Sequence, residues 1–177
     1  MKKVKWLKYK IDSNHIISNR QWVGKNMIKI ITIGSIKENY LKEAIQEYKK
    51  RISKYTKLEI IELKDEGLVE EEKAKKLESE KIDKYINEKD YVITLEIDGK
   101  EYNSTELAEK LRIIQIQYSN IIFIIGGSYG LDNSIKEKAK LHLSFSKLTF
   151  PHQLFRVLLL EQIYRSFKIN NNEKYHK

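Results

Sequence analysis

The chain has 177 residues, 41% of them apolar, with 34 Lys and Arg, 25 Asp and Glu, one proline and seven glycines. That length suits one domain with a continuous core. The lack of cysteine excludes disulfide scaffolds, Cys-ligated zinc, iron–sulfur clusters and thiol nucleophiles. No apolar run reaches the roughly 20 residues that span a bilayer, so a cytoplasmic protein without membrane contact is expected.

The formal charge of +9 is unevenly spread. Residues 1–26 hold seven basic groups and Asp12 alone, whereas residues 27–177 carry 27 basic and 24 acidic groups. Residues 1–26 show neither helical nor strand periodicity and no signal-peptide core. They read as a basic N-terminal extension, disordered or not native. The alternative is an RNA-contacting arm. The domain is taken as 27–177. A nucleic-acid reading must then rest on individual cations within it, not on the total.

From Met27 the pattern alternates between strand and helix. MIKIITIGS gives a first strand at 28–34, and 38–53 is a helix with Leu41, Ala44, Ile45, Tyr48 and Ile52 at helical spacing. LEIIEL (58–63) is a strand. The charged segment 69–87 follows as a helix, with Glu70–Lys73 and Glu72–Lys76 pairs expected. YVITLEI (91–97) is a strand expected to end in an Asp98-Gly99 turn. Asn103 or Ser104 caps a helix to about 116. NIIFII (120–125) is apolar on both faces, as in a helix-covered parallel sheet. A short helix (132–140), a strand (141–145) and a long helix (152–168) complete the order. The expected fold is an α/β three-layer sandwich with a mostly parallel sheet, and ligands gather at the C-terminal ends of its strands.

Three loops lie at those ends. After Ile125 comes Gly126-Gly127-Ser128-Tyr129-Gly130, which matches neither a dinucleotide nor a P-loop fingerprint and reads equally as a ligand loop or a tight turn. After Leu95 come Glu96 and Asp98, read as solvated or turn residues. After the fifth strand comes Ser146-Lys147-Leu148-Thr149-Phe150-Pro151. Together these loops would form a pocket of low charge, suited to an uncharged ring and ribose.

The last helix carries a broad apolar stripe including Leu154, Val157, Leu158, Ile163 and Phe167, so a dimer mate is expected against it. His152 and Arg156 share one face, and Glu161 and Arg165 share nearly the opposite one. Glu161–Arg165 reads as an ordinary helix ion pair, while Arg156 stands at the ligand end. The polar tail from Asn170 to Lys177 is expected to fray, unless Tyr175 and His176 are folded into a site by another subunit.

The strings TLEIDGK (94–100), IIFIIGGSYGL (121–131), LSFSKLTFPHQLFRVLLLEQIYRSFKI (143–169) and the terminal YHK resemble the SPOUT-class methyltransferases that modify N3 of a pseudouridine in bacterial 23S ribosomal RNA. The resemblance covers Met27 to Lys177. It implies an α/β knot with a C-terminal trefoil, a homodimer, S-adenosylmethionine as cofactor and the assembled ribosome as partner, with no metal. It implies donor-binding residues Leu95, Gly126, Phe145, Ser146, Lys147, Leu148, Thr149 and Phe150. Carried over likewise, His176, Arg156 and His152 are catalytic candidates, and Arg156, Arg165, Tyr175 and His176 are RNA-binding candidates. Alternatives are a knotted methyltransferase acting on another RNA, such as a tRNA ribose 2′-hydroxyl, and a non-catalytic ribosome-docking factor.

Overall fold

The computed structural model describes residues 26–175. The extension up to Lys25, together with His176 and Lys177, lies outside the described residues.

Ten elements follow in the expected order. They are β1 (Met27–Ile33), α1 (Asn39–Ile52), β2 (Lys57–Leu63), α2 (Glu71–Asp83), β3 (Tyr91–Glu101), α3 (Ser104–Gln117), β4 (Asn120–Ile125), α4 (Asn133–Lys136), β5 (Leu141–Ser144) and α5 (His152–Asn170). They build one five-stranded sheet of order β2-β1-β4-β3-β5 in which every pairing is parallel. β1 and β4 lie inside the sheet and alternate between two cores. Ile28, Ile30, Ile121, Phe123 and Ile125 face a larger core shared with Leu41, Leu111, Leu160 and Phe167 of α1, α3 and α5. Ile31, Ile33, Ile122 and Ile124 face a smaller core closed by Ile82 of α2 and Ile135 of α4. Period-two alternation with apolar residues on both faces is what a sheet between two helical layers demands. Burying each such isoleucine contributes roughly 2–3 kcal/mol.

Several local expectations are corrected. β3 does not turn at Asp98-Gly99 but runs on to Glu101. Leu143 of β5 is in register with both Leu95 and Lys100, so residues 96–99 bulge out of the ladder. Gly99 meets β5 there: a Cβ on it would lie 2.7 Å from the Leu143 carbonyl carbon. Glycine is needed for close approach of two backbones, not for a turn. α2 is shorter than read from the charge pattern, and its first-turn ion pair is Glu71–Lys75. α4 is a single turn, started by Asp132, whose Oδ1 accepts from Ser134 N at 2.9 Å. Asn103 caps α3 in a reciprocal box with Glu106.

The tail does not fray up to Tyr175. Asn172 adopts φ 54°, which turns the chain back along α5. Glu173 then accepts from Tyr55 Oη at 2.9 Å and pairs with Lys168. Tyr175 Oη donates to Glu161 at 3.1 Å, and its ring packs edge-on against Tyr164 with Arg165 over its face.

Candidate functional site

The β3 bulge, the β4–α4 turn and the β5–α5 loop meet at one edge of the sheet. They enclose a cleft of about 430 Å³ lined by Leu95, Glu96, Gly126, Phe145, Leu148 and Phe150, among others. Each wall has a local cause. The bulge takes Glu96, Ile97 and Asp98 out of the β3–β5 ladder, and side chains of β5 bridge the gap through His142 to Glu96 and Ser144 to Ile97 O. The glycine turn closes on itself, with Gly130 N donating to Gly127 O at 3.0 Å and Gly130 at φ +80°. A Cβ on Gly126 would sit 2.8 Å from Gly130 C, so this segment is a tight turn and a cleft wall at once. The third wall is braced by aromatic contacts of Phe155 with Phe145 (5.0 Å) and Phe150 (5.7 Å). Of the expected donor-binding set, Leu95, Gly126, Phe145, Ser146, Leu148, Thr149 and Phe150 line this space. Lys147 does not. It points to the bulge, 3.5 Å from Ile97 O and 3.8 Å from Asp98.

The cleft is more charged than expected. Glu96 is largely buried rather than solvated, and it receives Thr94 Oγ1 at 2.6 Å and His142 Nδ1 at 2.7 Å, with Lys136 Nζ at 3.3 Å. Burial works to raise its pKa, but these partners prevail and hold it below the ordinary carboxylate value. Thr94, His142 and Lys136 were missed as site neighbours because their meeting depends on β3 lying beside β5. The only trace in the sequence is the i, i+2 spacing of Thr94 and Glu96 on one strand face.

At the start of α5, His152 Nε2 lies 2.7 Å from Ile33 O and 3.4 Å from Thr32 Oγ1. A carbonyl only accepts, so Nε2 carries the hydrogen and Nδ1 keeps its lone pair. Burial, and secondarily the neighbouring Arg156 charge, pushes the imidazole below its ordinary pKa and keeps it neutral near pH 7. One turn on, Arg156 is only 2% exposed. Its Nη2 donates to Ile33 O (3.0 Å) and Gly34 O (2.8 Å), and its Nη1 to Glu62 (2.7 Å). Its buried Nε has no partner. The guanidinium therefore bolts α5 onto the ends of β1 and β2. It is not among the residues that line the cleft.

Arg165 and Tyr175 come together at the other end of α5, where Arg165 also pairs with Glu161 at 2.6 Å. Thirteen residues of helix put them about 20 Å from His152. One copy of the chain therefore holds two separate groups of the expected site residues. His176 lies outside the described residues, and among those described no cluster of metal-ligating side chains is found.

The family described as "Predicted SPOUT methyltransferase" matches residues 27–176. The chain is 52% identical over 157 residues to the ribosomal RNA large subunit methyltransferase H of Caldicellulosiruptor saccharolyticus, covering 85% of this chain and all of that protein. To the protein of the same name from Streptococcus suis it is 48% identical, covering 85% of this chain and 99% of the other. Its fold is similar to that of a probable methylase family protein from Haemophilus influenzae Rd KW20, with TM-score 0.52 and 18% identity over 88% of this chain and 71% of the other. A parallel α/β sheet with three loops meeting at its C-terminal edge, and a family match that begins where β1 begins, agree: the chain belongs to the SPOUT methyltransferase family.

Proposed function

We propose that the protein transfers a methyl group from S-adenosylmethionine to N3 of a pseudouridine in 23S ribosomal RNA of the assembled ribosome, acting as a knotted homodimer. The observation that carries this reading is the convergence of the loops after β3, β4 and β5 on one cleft, in a chain about half identical to proteins named ribosomal RNA large subunit methyltransferase H.

The cleft fits the donor in kind. Leu95, Leu131, Phe145 and Phe150 offer an apolar bed for a ring, and the backbone of the Gly126–Gly130 turn offers polar groups at its edge. Glu96 and Asp98 supply negative charge to a ligand bearing a sulfonium and an ammonium. When bound, the donor supplies an activated methyl, so no covalent enzyme intermediate and no cysteine are required. The protein's own task is geometric and electrostatic. It holds the acceptor nitrogen in line, at roughly 3–3.5 Å, and takes up the imide proton. His152 Nδ1 is the proton acceptor we assign within the subunit, since the neutral ring is fixed through Nε2 and lines the cleft. Arg156 acts through His152 and the Ile33–Gly34 backbone.

The homodimer accounts for the two separated residue groups. Leu154, Leu158, Glu161 and Arg165 lie along one stripe of α5, and Leu154 is 38% exposed. A second copy crossing that stripe antiparallel would bring its Arg165, Tyr175 and His176 to the end of the first copy's α5 where the cleft opens, and there they would grip RNA.

Incubation of the protein and isotopically labelled donor with ribosomes lacking the modification tests the reading. Mass spectrometry of nuclease fragments is expected to find the label on one pseudouridine of 23S RNA. Label on a tRNA ribose, or donor binding without transfer to any RNA, would overturn it.

A further inference from the structure

We propose that the cavity on the β1–β2 side of the donor cleft is the acceptor chamber, which takes a neutral pyrimidine ring turned out of its RNA stack. The proposal rests on the methyl-transfer reading above and adds where the substrate sits.

The cavity measures about 620 Å³; Ser35, Lys64 and Asp65 form its outer wall, and Gly127, Ser128 and His152 belong to both it and the donor cleft. In-line transfer requires the acceptor atom within roughly 3.5 Å of the methyl carbon, so the acceptor chamber must open into the donor cleft. Among the described residues, two neighbouring cavities share wall residues with that cleft. The one at the start of α3 meets it across Leu143 and Phe145 and contains neither an imidazole nor a carboxylate. The β1–β2 cavity meets it at an imidazole, a hydroxyl and bare backbone.

The shared wall is thin for a physical reason. The direction a side chain on Gly127 would take is filled by the Glu78 carboxylate, 2.9 Å from the Cβ position, so only backbone faces the two chambers. His152 completes the wall with Nε2 tied to Ile33 O, which leaves Nδ1 for a proton held by the ring.

The charges select a neutral guest. Glu62 is engaged by Arg156 at 2.7 Å, Asp65 Oδ1 accepts from Gly67 N at 2.8 Å, and the lining also holds Lys37 and Lys64, the latter 3.7 Å from Glu66. Among the described residues that line it, no further lysine or arginine joins these two to make the cation cluster that a bound phosphate would require. Both lysines are exposed, where the flanking phosphates of an extruded nucleotide would pass. Turning a base out of its stack costs a few kcal/mol, least where it is already unpaired, so single-stranded or looped RNA suits the chamber.

The variant Ser35→Trp tests this, because Ser35 lines the acceptor cavity and not the donor cleft. The full-length protein is assayed for melting temperature, donor affinity by calorimetry, and kcat/KM on unmodified ribosomes. A folded variant with donor Kd within twofold of wild type and kcat/KM lowered at least thirtyfold is the expected result. A folded variant with kcat/KM within threefold of wild type would overturn the proposal. So would parallel loss of donor affinity and turnover, since the chambers would then not be separate. Should Ser35→Trp fail to fold, Ser35→Leu is read by the same criteria. Absence of donor binding in the wild type would instead refute the methyl-transfer reading itself.

Discussion

His152 and Arg156 sit one helical turn apart, yet burial gives them different work. The guanidinium is consumed by three acceptors on β1 and β2, whereas the imidazole uses one nitrogen for Ile33 O and keeps the other. Truncation of Arg156 would take this donor from the Gly34 carbonyl and from Glu62 and leave a void, while Ile33 O would keep His152 Nε2. Arg156→Ala is expected to cost about 2–4 kcal/mol of stability by denaturant titration. For His152 the sign follows from burial. The folded chain binds this proton less readily than the unfolded chain, whose imidazole titrates near 6.5. The associated stability is therefore complete above that pH and is lost as pH falls below it, until the depressed folded value is reached, with a slope of at most about 1.4 kcal/mol per pH unit. His152→Gln should flatten that part of the stability–pH curve. It should also lower kcat by about 10²–10⁴ with donor affinity retained. A wild-type acid limb in kcat/KM that survives the substitution would move the base elsewhere.

Among the elements, those whose burial is dictated by nearest neighbours along the chain were readable in advance. NIIFII can only be a strand covered on both faces, and Asn103 with Glu106 three residues later announces a helix start. The three loops of the cleft followed from strand order, since parallel strands joined by helices present their C-terminal ends together. Features made by contacts remote in sequence were not readable. The Glu96–His142–Lys136 network needs β3 beside β5, and the burial of Arg156 needs β2 under α5. Asp98-Gly99 looked like a turn because turn chemistry and close backbone packing call for the same residue. Gly99→Ala separates the two causes. A turn with φ < 0 would accept alanine at little cost. Here the new methyl would meet β5 backbone atoms at 2.7–2.9 Å. The strands must part, at about 1–3 kcal/mol, and donor affinity should fall because the bulge and the β5–α5 loop move together. A calorimetric Kd unchanged from wild type would contradict this account of the bulge.

For the molecule as a whole, the proposed function divides α5 into two working ends about 20 Å apart, and under that proposal assembly is a condition of activity. Most of the buried side chains on α5 serve its own core through Leu159, Leu160, Ile163 and Phe167, while Leu154, Val157 and Leu158 keep partial exposure. Placing a charge in the middle of that stripe should break self-association without unfolding the subunit. Leu158→Asp is expected to sediment as a monomer at micromolar concentration and to melt within a few degrees of the wild-type subunit. It should bind the donor through its own three loops and transfer no methyl to ribosomes. A mixed dimer of Leu158→Asp with wild type would be weakened at one interface, so a sharper check pairs two defects. A His152→Gln chain and a chain truncated before Tyr175 are each inactive alone in this scheme, since every site of each lacks one component. Mixed dimers contain one complete site, with His152 from the truncated chain and the tail from the other. Mixing should therefore restore up to about a quarter of wild-type turnover when subunits exchange at random, the mixed species being half the dimers with one working site in each. Failure to complement, with exchange confirmed by mass spectrometry, would place both ends of α5 in the service of a single subunit.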